Sequence, residues 1–345
     1  MPALTRLEPT VTHPHPATRR PGAATVLAVA AALAAAAGCA PQDDSSSSSS
    51  ASPAASAAAS GPASAAAPTL ATAPATTGAT APGTGAATAS AAGGIPGCSP
   101  ADIRTRRPGT LTLATSQPAF EPWVVDNDPT SGKGFESAVA YAAAGALGYA
   151  RNQVTWTRAD FNAAVQPGPK TFDADINQFS ITPERRTAVD FSSSYYAVPQ
   201  AVIVRTDTAP AQKTLAALKG LRLGAQVGTT SYAAITGQIR PTKSPRTYND
   251  NSAAGQALSN GQIQGLVVDL PTALYLASAE LKGVTVFGQL PPSGGSPDQL
   301  AFVLDKGSPV TACLTKAVDR LRTDGTLARL ATQWLTTSAG APVLR

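Results

Sequence analysis

Histidine is nearly missing from this chain. Among 345 residues only His13 and His15 are histidine, and both precede the first apolar run. The folded part expected after Cys98 therefore has none, which excludes Ser-His-Asp and Cys-His nucleophiles, His-ligated zinc and His proton shuttles there. Charge is sparse as well: charged residues make up 14%, the net charge is +5, and no Lys/Arg-rich run gathers it. Nucleic acid is accordingly not an expected partner. Cysteine occurs three times with no C-x-x-C spacing, so neither a metal motif nor a redox motif is present. What these absences leave is a binding protein, with no catalytic residue, metal or cofactor expected.

The first residues read as targeting sequence. Arg6, Arg19 and Arg20 precede an uncharged apolar stretch from Ala23 to Ala37. That stretch is short of the roughly 20 residues a membrane span needs. Basic, then apolar, then small residues is the layout of an export signal, here residues 1–38. Ala36-Ala37-Gly38-Cys39 resembles a bacterial lipobox, with Ala36 where leucine is usual, and Cys39 is the expected lipid anchor. The alternative is a simple signal peptide cut nearby. Arg19-Arg20 is followed by Pro21-Gly22 rather than the bulky apolar pair of a twin-arginine signal. If Cys39 carries lipid, Cys98 and Cys313 are left as an even pair in an oxidising compartment, where a disulfide is expected, the alternative being two separate thiols.

Residues 39–98 carry the anchor and a linker of Ala, Ser, Thr and Pro. Between residues 40 and 97 only Leu70 and Ile95 are bulky and apolar, and only Asp43 and Asp44 are charged. Such a segment buries too little apolar surface to offset its ordering entropy, and it reads as a disordered tether.

Beyond Cys98, strands and helices alternate. Thr110–Ala114, Gln153–Thr157, Leu221–Ala225, Gly265–Val268 and Phe302–Leu304 read as strands. Phe135, Val139, Ala143 and Leu147 share one helical face ahead of Gly148. Val310, Cys313, Leu314, Ala317, Val318 and Leu321 line a helix ending at Asp324-Gly325, and Leu327 to Trp334 continue as a last one. Strands separated by helices predict an α/β fold with largely parallel sheets, whose ligands bind at the carboxyl ends of the strands.

Four segments carry chemistry. In "FDADINQFSITPER", Thr182-Pro183-Glu184 is a helix start that puts Arg185 in the first turn, beside free backbone N–H groups suited to a carboxylate. Gly224 to Ser231 is a strand-turn-helix passage offering Thr229 and Thr230 as donors. Asp269 ends an apolar strand just before Pro271. Ser116 to Trp123 follows the first strand and brings Phe120 and Glu121, with Phe161 downstream. Simpler readings stand beside these: Arg185 paired with Asp190 on a solvated face, Asp269 as a helix cap, and Trp123, Tyr195 and Tyr196 as packing.

Taken in order, "GKGFES", "FDADINQFSITPERR", "VDFSSSYY", "LKGLRLGAQVGTTS", "VVDLPTALYL" and "DRLRTDGTLARLATQWL" resemble the extracytoplasmic solute-binding proteins of polar amino-acid ABC importers, solute-binding family 3. The resemblance covers roughly residues 108 to 336. It implies a two-lobe type II periplasmic-binding fold, each lobe a mainly parallel sheet flanked by helices, with two crossover strands and the ligand in the interlobe cleft. Lobe 1 is expected over 99–202 and 296–345 and lobe 2 over 203–295, with crossovers near Gln200–Ile203 and Pro291–Pro297. By the same resemblance Arg185 grips the ligand α-carboxylate, helped by the backbone at Ser180 and Thr230. Asp269 receives the α-ammonium with the carbonyl of Gln178, and Phe120 and Phe161 flank the side chain. Gln178 stands where many members have Ser or Thr, and Ser116 where several have Asp. The implied partners are an amino-acid ligand and membrane permease subunits with a cytoplasmic ATPase, the chain acting as a lipid-anchored monomer. An enzyme of the same fold, a dehydratase of prephenate-like acids with Glu121 or Asp269 as its acid or base, and a ligand sensor for a membrane kinase are the alternatives.

Overall fold

The structure is a computed structural model that describes residues 94–335 and 341–345. The export signal, Cys39 and most of the linker lie outside the described residues.

The chain forms two five-stranded sheets. From the start, β1 (Leu111–Thr115), α1 (Phe135–Ala146), β2 (Val154–Arg158), α2 (Phe161–Val165), β3 (Ala174–Asp175), α3 (Pro183–Ala188) and β4 (Val189–Phe191) build most of the first lobe. A short β5 (Tyr196–Val198) then leads across into the second lobe, made of β6 (Gln200–Arg205), α4 (Leu215–Leu218), β7 (Leu223–Gln226), α5 (Thr230–Ala234), β8 (Arg246–Tyr248), α6 (Asn251–Ser259), β9 (Gly265–Asp269), α7 (Leu270–Tyr275) and β10 (Val284–Gln289). The return runs through β11 (Asp298–Leu300), and β12 (Val303–Asp305), α8 (Thr311–Thr323) and α9 (Thr326–Leu335) complete the first lobe.

The strand orders are β2-β1-β3-β12-β4 and β10-β6-β9-β7-β8. In each sheet four strands run one way and one runs against them. The reversed strands are β12 and β6, and each is the strand by which the chain enters from the other lobe. The two crossings lie side by side, β5 pairing with β11 antiparallel from Val198↔Asp298 to Tyr196↔Leu300.

Both sheets are covered on both faces, which is why their strands are almost continuously apolar. Leu111 and Leu113 of β1 point into one core and Ala114 into the other. Val202 and Val204 of β6 fill one face of the second sheet, Ala201 and Ile203 the opposite face. Cys98 and Cys313 form a disulfide with Cα atoms 5.5 Å apart, fastening the segment before β1 to α8.

Two boundaries differ from the expected division. Gln200, Ala201 and Val202 pair with β9 and so belong to the second sheet, because the crossing is finished at Pro199. Residues 341–345 also pack on the second lobe rather than the first. Leu344 is buried in its core, its N–H donates to the Gln289 carbonyl at 2.8 Å, and the Leu215 N–H donates to Arg345 at 3.0 Å. Gly288 leaves the room that Leu344 takes.

Candidate functional site

A cavity of about 320 Å³ lies between the two sheets, and its lining follows the carboxyl ends of strands. Ser116 follows β1, Asp160 follows β2, Asn177 and Gln178 follow β3, Asn249 to Asn251 follow β8, and Gln226 and Asp269 end β7 and β9.

Arg185 stands in the first turn of α3. The Thr182 hydroxyl accepts the Arg185 N–H at 3.2 Å and caps that helix, with Pro183 in its first turn. The guanidinium lies 5.3 Å from the Phe161 ring, which stacks on Phe179 at 4.8 Å. One of its N–H groups donates to the Ser180 carbonyl at 2.6 Å, and another reaches the second lobe to donate to the Gly228 carbonyl at 2.9 Å. Gly228 has φ +75, and a side chain there would run into Asn162 of the first lobe, so glycine is what lets the two walls approach. A guanidinium carries five N–H donors, and two engaged leave room for a carboxylate. Burial pulls the Arg185 pKa down, while Asp298 and Asp269 push it back up. The pairing with Asp190 is not formed: Asp190 faces Lys306 at 3.2 Å and accepts the Gly307 N–H.

Asp269 occupies the position before α7, yet its side chain makes no capping bond. Oδ1 instead accepts from the Gln200 amide at 2.6 Å. Burial holds the Asp269 carboxyl up at about 7; the Gln200 bond opposes the rise, and Asp298 and Glu136 add to it. The cap reading of Asp269 therefore does not hold.

The remaining candidates divide. Ser180, Thr229, Thr230, Phe120, Phe161 and Gln178 all line the cavity. Ser180 and Thr230 hydroxyls meet across the lobes at 3.2 Å. Thr229 spends its hydroxyl on capping α5, accepting the Tyr232 N–H at 3.2 Å and donating to Gln226 at 2.7 Å. Gln178 sits at φ +47 and donates both its backbone N–H and its amide to Glu136, which turns the side chain inward and leaves the carbonyl. Glu121 does not line the cavity, a correction to its expected place: the chain turns at Pro122 and takes it toward Tyr275 instead. Trp123 is fully buried, and its indole N–H donates to Thr272 of the second lobe at 2.8 Å.

Sequence reasoning missed Glu136, Gln200, Asp298 and Asn177. Glu136 is fully buried at the start of α1, accepts from Gln178 and the Tyr195 hydroxyl, and is raised to about 7 by burial. Asn177 accepts from Ser116 at 3.4 Å on the cavity wall. One signal was available: Gln200 is a lone amide heading the apolar run Ala201–Val204.

Comparison with known proteins follows the same lines. Residues 111–337 match the family model for bacterial extracellular solute-binding proteins, family 3. The chain is 31% identical over 174 residues to ABC transporter arginine-binding protein 1 of Escherichia coli (strain K12), a match covering 48% of this chain and 67% of that protein. It is 30% identical over 166 residues to the L-cystine-binding protein TcyJ of the same organism, covering 48% of this chain and 60% of the relative. The matched stretches thus span about two thirds or less of these relatives. Among solved structures, the ancestral amino acid-binding protein AncCDT-1, a precursor of cyclohexadienyl dehydratase, superposes with TM-score 0.54 at 27% identity, covering 66% of this chain and 95% of the other. The architecture is the two-lobe type II periplasmic-binding fold.

Proposed function

This chain belongs to the bacterial extracellular solute-binding proteins, family 3, and from that premise we propose that it is the extracytoplasmic binding component of an ABC importer, closing its lobes over a free polar amino acid. One observation carries the reading: a guanidinium from the first lobe and a carboxylate from the second, Arg185 and Asp269, line the same cavity. An α-amino acid has an anion and a cation on one carbon, so opposite charges on opposite walls match it and favour the closed form.

Arg185 takes the α-carboxylate bidentately, with the backbone at Ser180 and Thr230 adding donors. Asp269 and the Gln178 carbonyl take the α-ammonium. Phe120 and Phe161 flank the ligand side chain, and Asn177, Gln226, Asn249 and Asn251 give that end of the cavity a polar character. The named relatives bind arginine and cystine, both polar amino acids. The partners are then permease subunits in the membrane with their ATPase, and Cys39 carries the lipid that holds a monomeric receptor to the cell surface. A binder is preferred to an enzyme because Glu121 lies off the cavity, and of the charges lining it Asp160 and Asp250 cap helices and Arg158 donates to Ser116 and Asn127, which leaves Arg185 and Asp269 to match the two ends of a zwitterion.

Calorimetry against the twenty amino acids tests this. One or a few polar members should bind and none should be consumed. Turnover of a prephenate-like acid, with no amino acid bound, would replace the reading with the dehydratase alternative.

A further inference from the structure

We infer that Gln200 is a positioning residue of this cleft, holding the Asp269 carboxylate turned toward the cavity and screened from Asp298, so that an incoming ammonium meets an anion. The inference rests on the reading of the cleft as an amino-acid site.

Gln200 heads β6, is 7% exposed, and faces Asp269 directly in the β6–β9 register. Its amide nitrogen lies 2.6 Å from Asp269 Oδ1 and 3.2 Å from Asp298 Oδ2. Its oxygen accepts from the Ser231 hydroxyl at 2.6 Å. This pattern fixes the amide's orientation: a flipped side chain would turn its oxygen toward two carboxylates, which only accept when ionised. The two carboxylates thus set the amide, Ser231 holds its oxygen as a donor, and Gln200 is the neutral group placed between two acids. Oδ2 of Asp269 has no donor among the described residues and is free for a ligand.

Two carboxylates sharing one site raise each other's affinity for a proton unless a donor or cation lies between them. The charged and titratable groups facing Asp269 are Arg185 from α3, Asp298 from β11, Glu136 from α1, and Tyr195 and Tyr196 from the first crossing. Arg185 is the single cation of that set, and it is also the group a ligand carboxylate would engage. Gln200 therefore favours the charged form of Asp269, against the burial that opposes it, by a contact that ligand binding does not consume. Its backbone carbonyl accepts the Leu290 N–H at 2.8 Å on the second crossing, so both crossings and the acid meet at this residue.

The test pairs a ligand-free readout with a binding one. Carbon NMR of the Asp269 carboxyl across pH 5 to 9 is recorded on the unliganded wild type, Gln200→Leu and Ser231→Ala. Calorimetry with the amino acid that binds wild type covers the same range. Gln200→Leu should raise the Asp269 midpoint by about one unit, cutting affinity roughly fivefold at pH 7 and restoring it to near wild type at pH 9. Ser231→Ala, which leaves Gln200 in place, should move the midpoint the same way by less, and it serves if Gln200→Leu fails to fold. An unmoved Asp269 midpoint in both variants overturns the inference, as does an affinity loss of equal size at every pH. If the midpoint moves but none of the twenty amino acids binds wild type, the amino-acid reading is what has failed.

Discussion

At the scale of single residues, the cleft is a problem of unmatched charge. Arg185 and Asp269 sit where water is scarce once a ligand fills the cavity, so removing either leaves one end of a zwitterion without its counter-charge. Arg185→Ala and Asp269→Asn are each expected to weaken amino-acid binding by roughly 30- to 3,000-fold, read by calorimetry. Asp269→Asn with unchanged affinity and fold would remove the ammonium role. Both positions are legible in the sequence, because Thr182-Pro183 announces a helix start and Asp269 ends an apolar strand. Glu136 is not legible there: on sequence it is an ordinary acid in the first turn of a helix, and only packing shows that it is fully buried under Gln178 and Tyr195. Glu121 failed for the converse reason, since neighbours in sequence at a tight turn need not face the same way.

At the scale of elements, short helices owe their ends to single side chains. The six-residue α3 carries Arg185 and starts on the Thr182 hydroxyl. Thr182→Ala removes that bond, with an expected loss of about 1 kcal/mol in denaturant unfolding. Because Arg185 stands in the freed turn, affinity should fall too, by less than in Arg185→Ala. An affinity loss without any stability loss would mean that Thr182 acts on the ligand rather than on the helix. The longer elements were readable from periodicity, as α1 and α8 show, and their observed ends agree with the expected ones within two residues. Two-residue β3 was not readable, and the crossing strands, expected through the resemblance near Gln200–Ile203 and Pro291–Pro297, lie instead at Tyr196–Val198 and Asp298–Leu300, because runs so short have no period of their own and exist only through their partners.

At the scale of the whole molecule, the Cys98–Cys313 bridge spans 215 residues of chain and restrains the unfolded state far more than the folded one. Its reduction should cost about 2–4 kcal/mol of stability, visible as a lower unfolding temperature with reductant, and mass spectrometry without reductant should find neither thiol free. Acidity acts on the fold as well. Burial raises Glu136 to about 7 from an ordinary 4.5, and Asp175, fully buried with neither oxygen hydrogen-bonded, is raised well above 3.8. A raised carboxyl keeps its proton in the folded state above the pH at which the unfolded chain releases it. The stability these groups contribute is therefore full below about pH 4 and lost as pH climbs toward 7 and beyond. Asp175→Asn, the neutral analogue, should raise the unfolding temperature more at pH 8 than at pH 5; an equal effect at both would show that Asp175 is not protonated in the fold.

The amino-acid sequence by itself determined the alternation of strands and helices, the helix start that presents Arg185, the acid at the end of β9 and the cysteine pair, because each depends on local periodicity, capping or residue count. Tertiary structure alone decided which groups surround Asp269. Asp269 and Asp298 lie 69 and 98 residues along the chain from the Gln200 amide that joins them, and Glu136 lies 42 residues from the Gln178 it holds. Their meeting depends on two crossings laid side by side and on reversed strands entering each sheet. The proton affinity of a buried carboxyl depends on that enclosure, which no stretch of sequence around Asp269 contains.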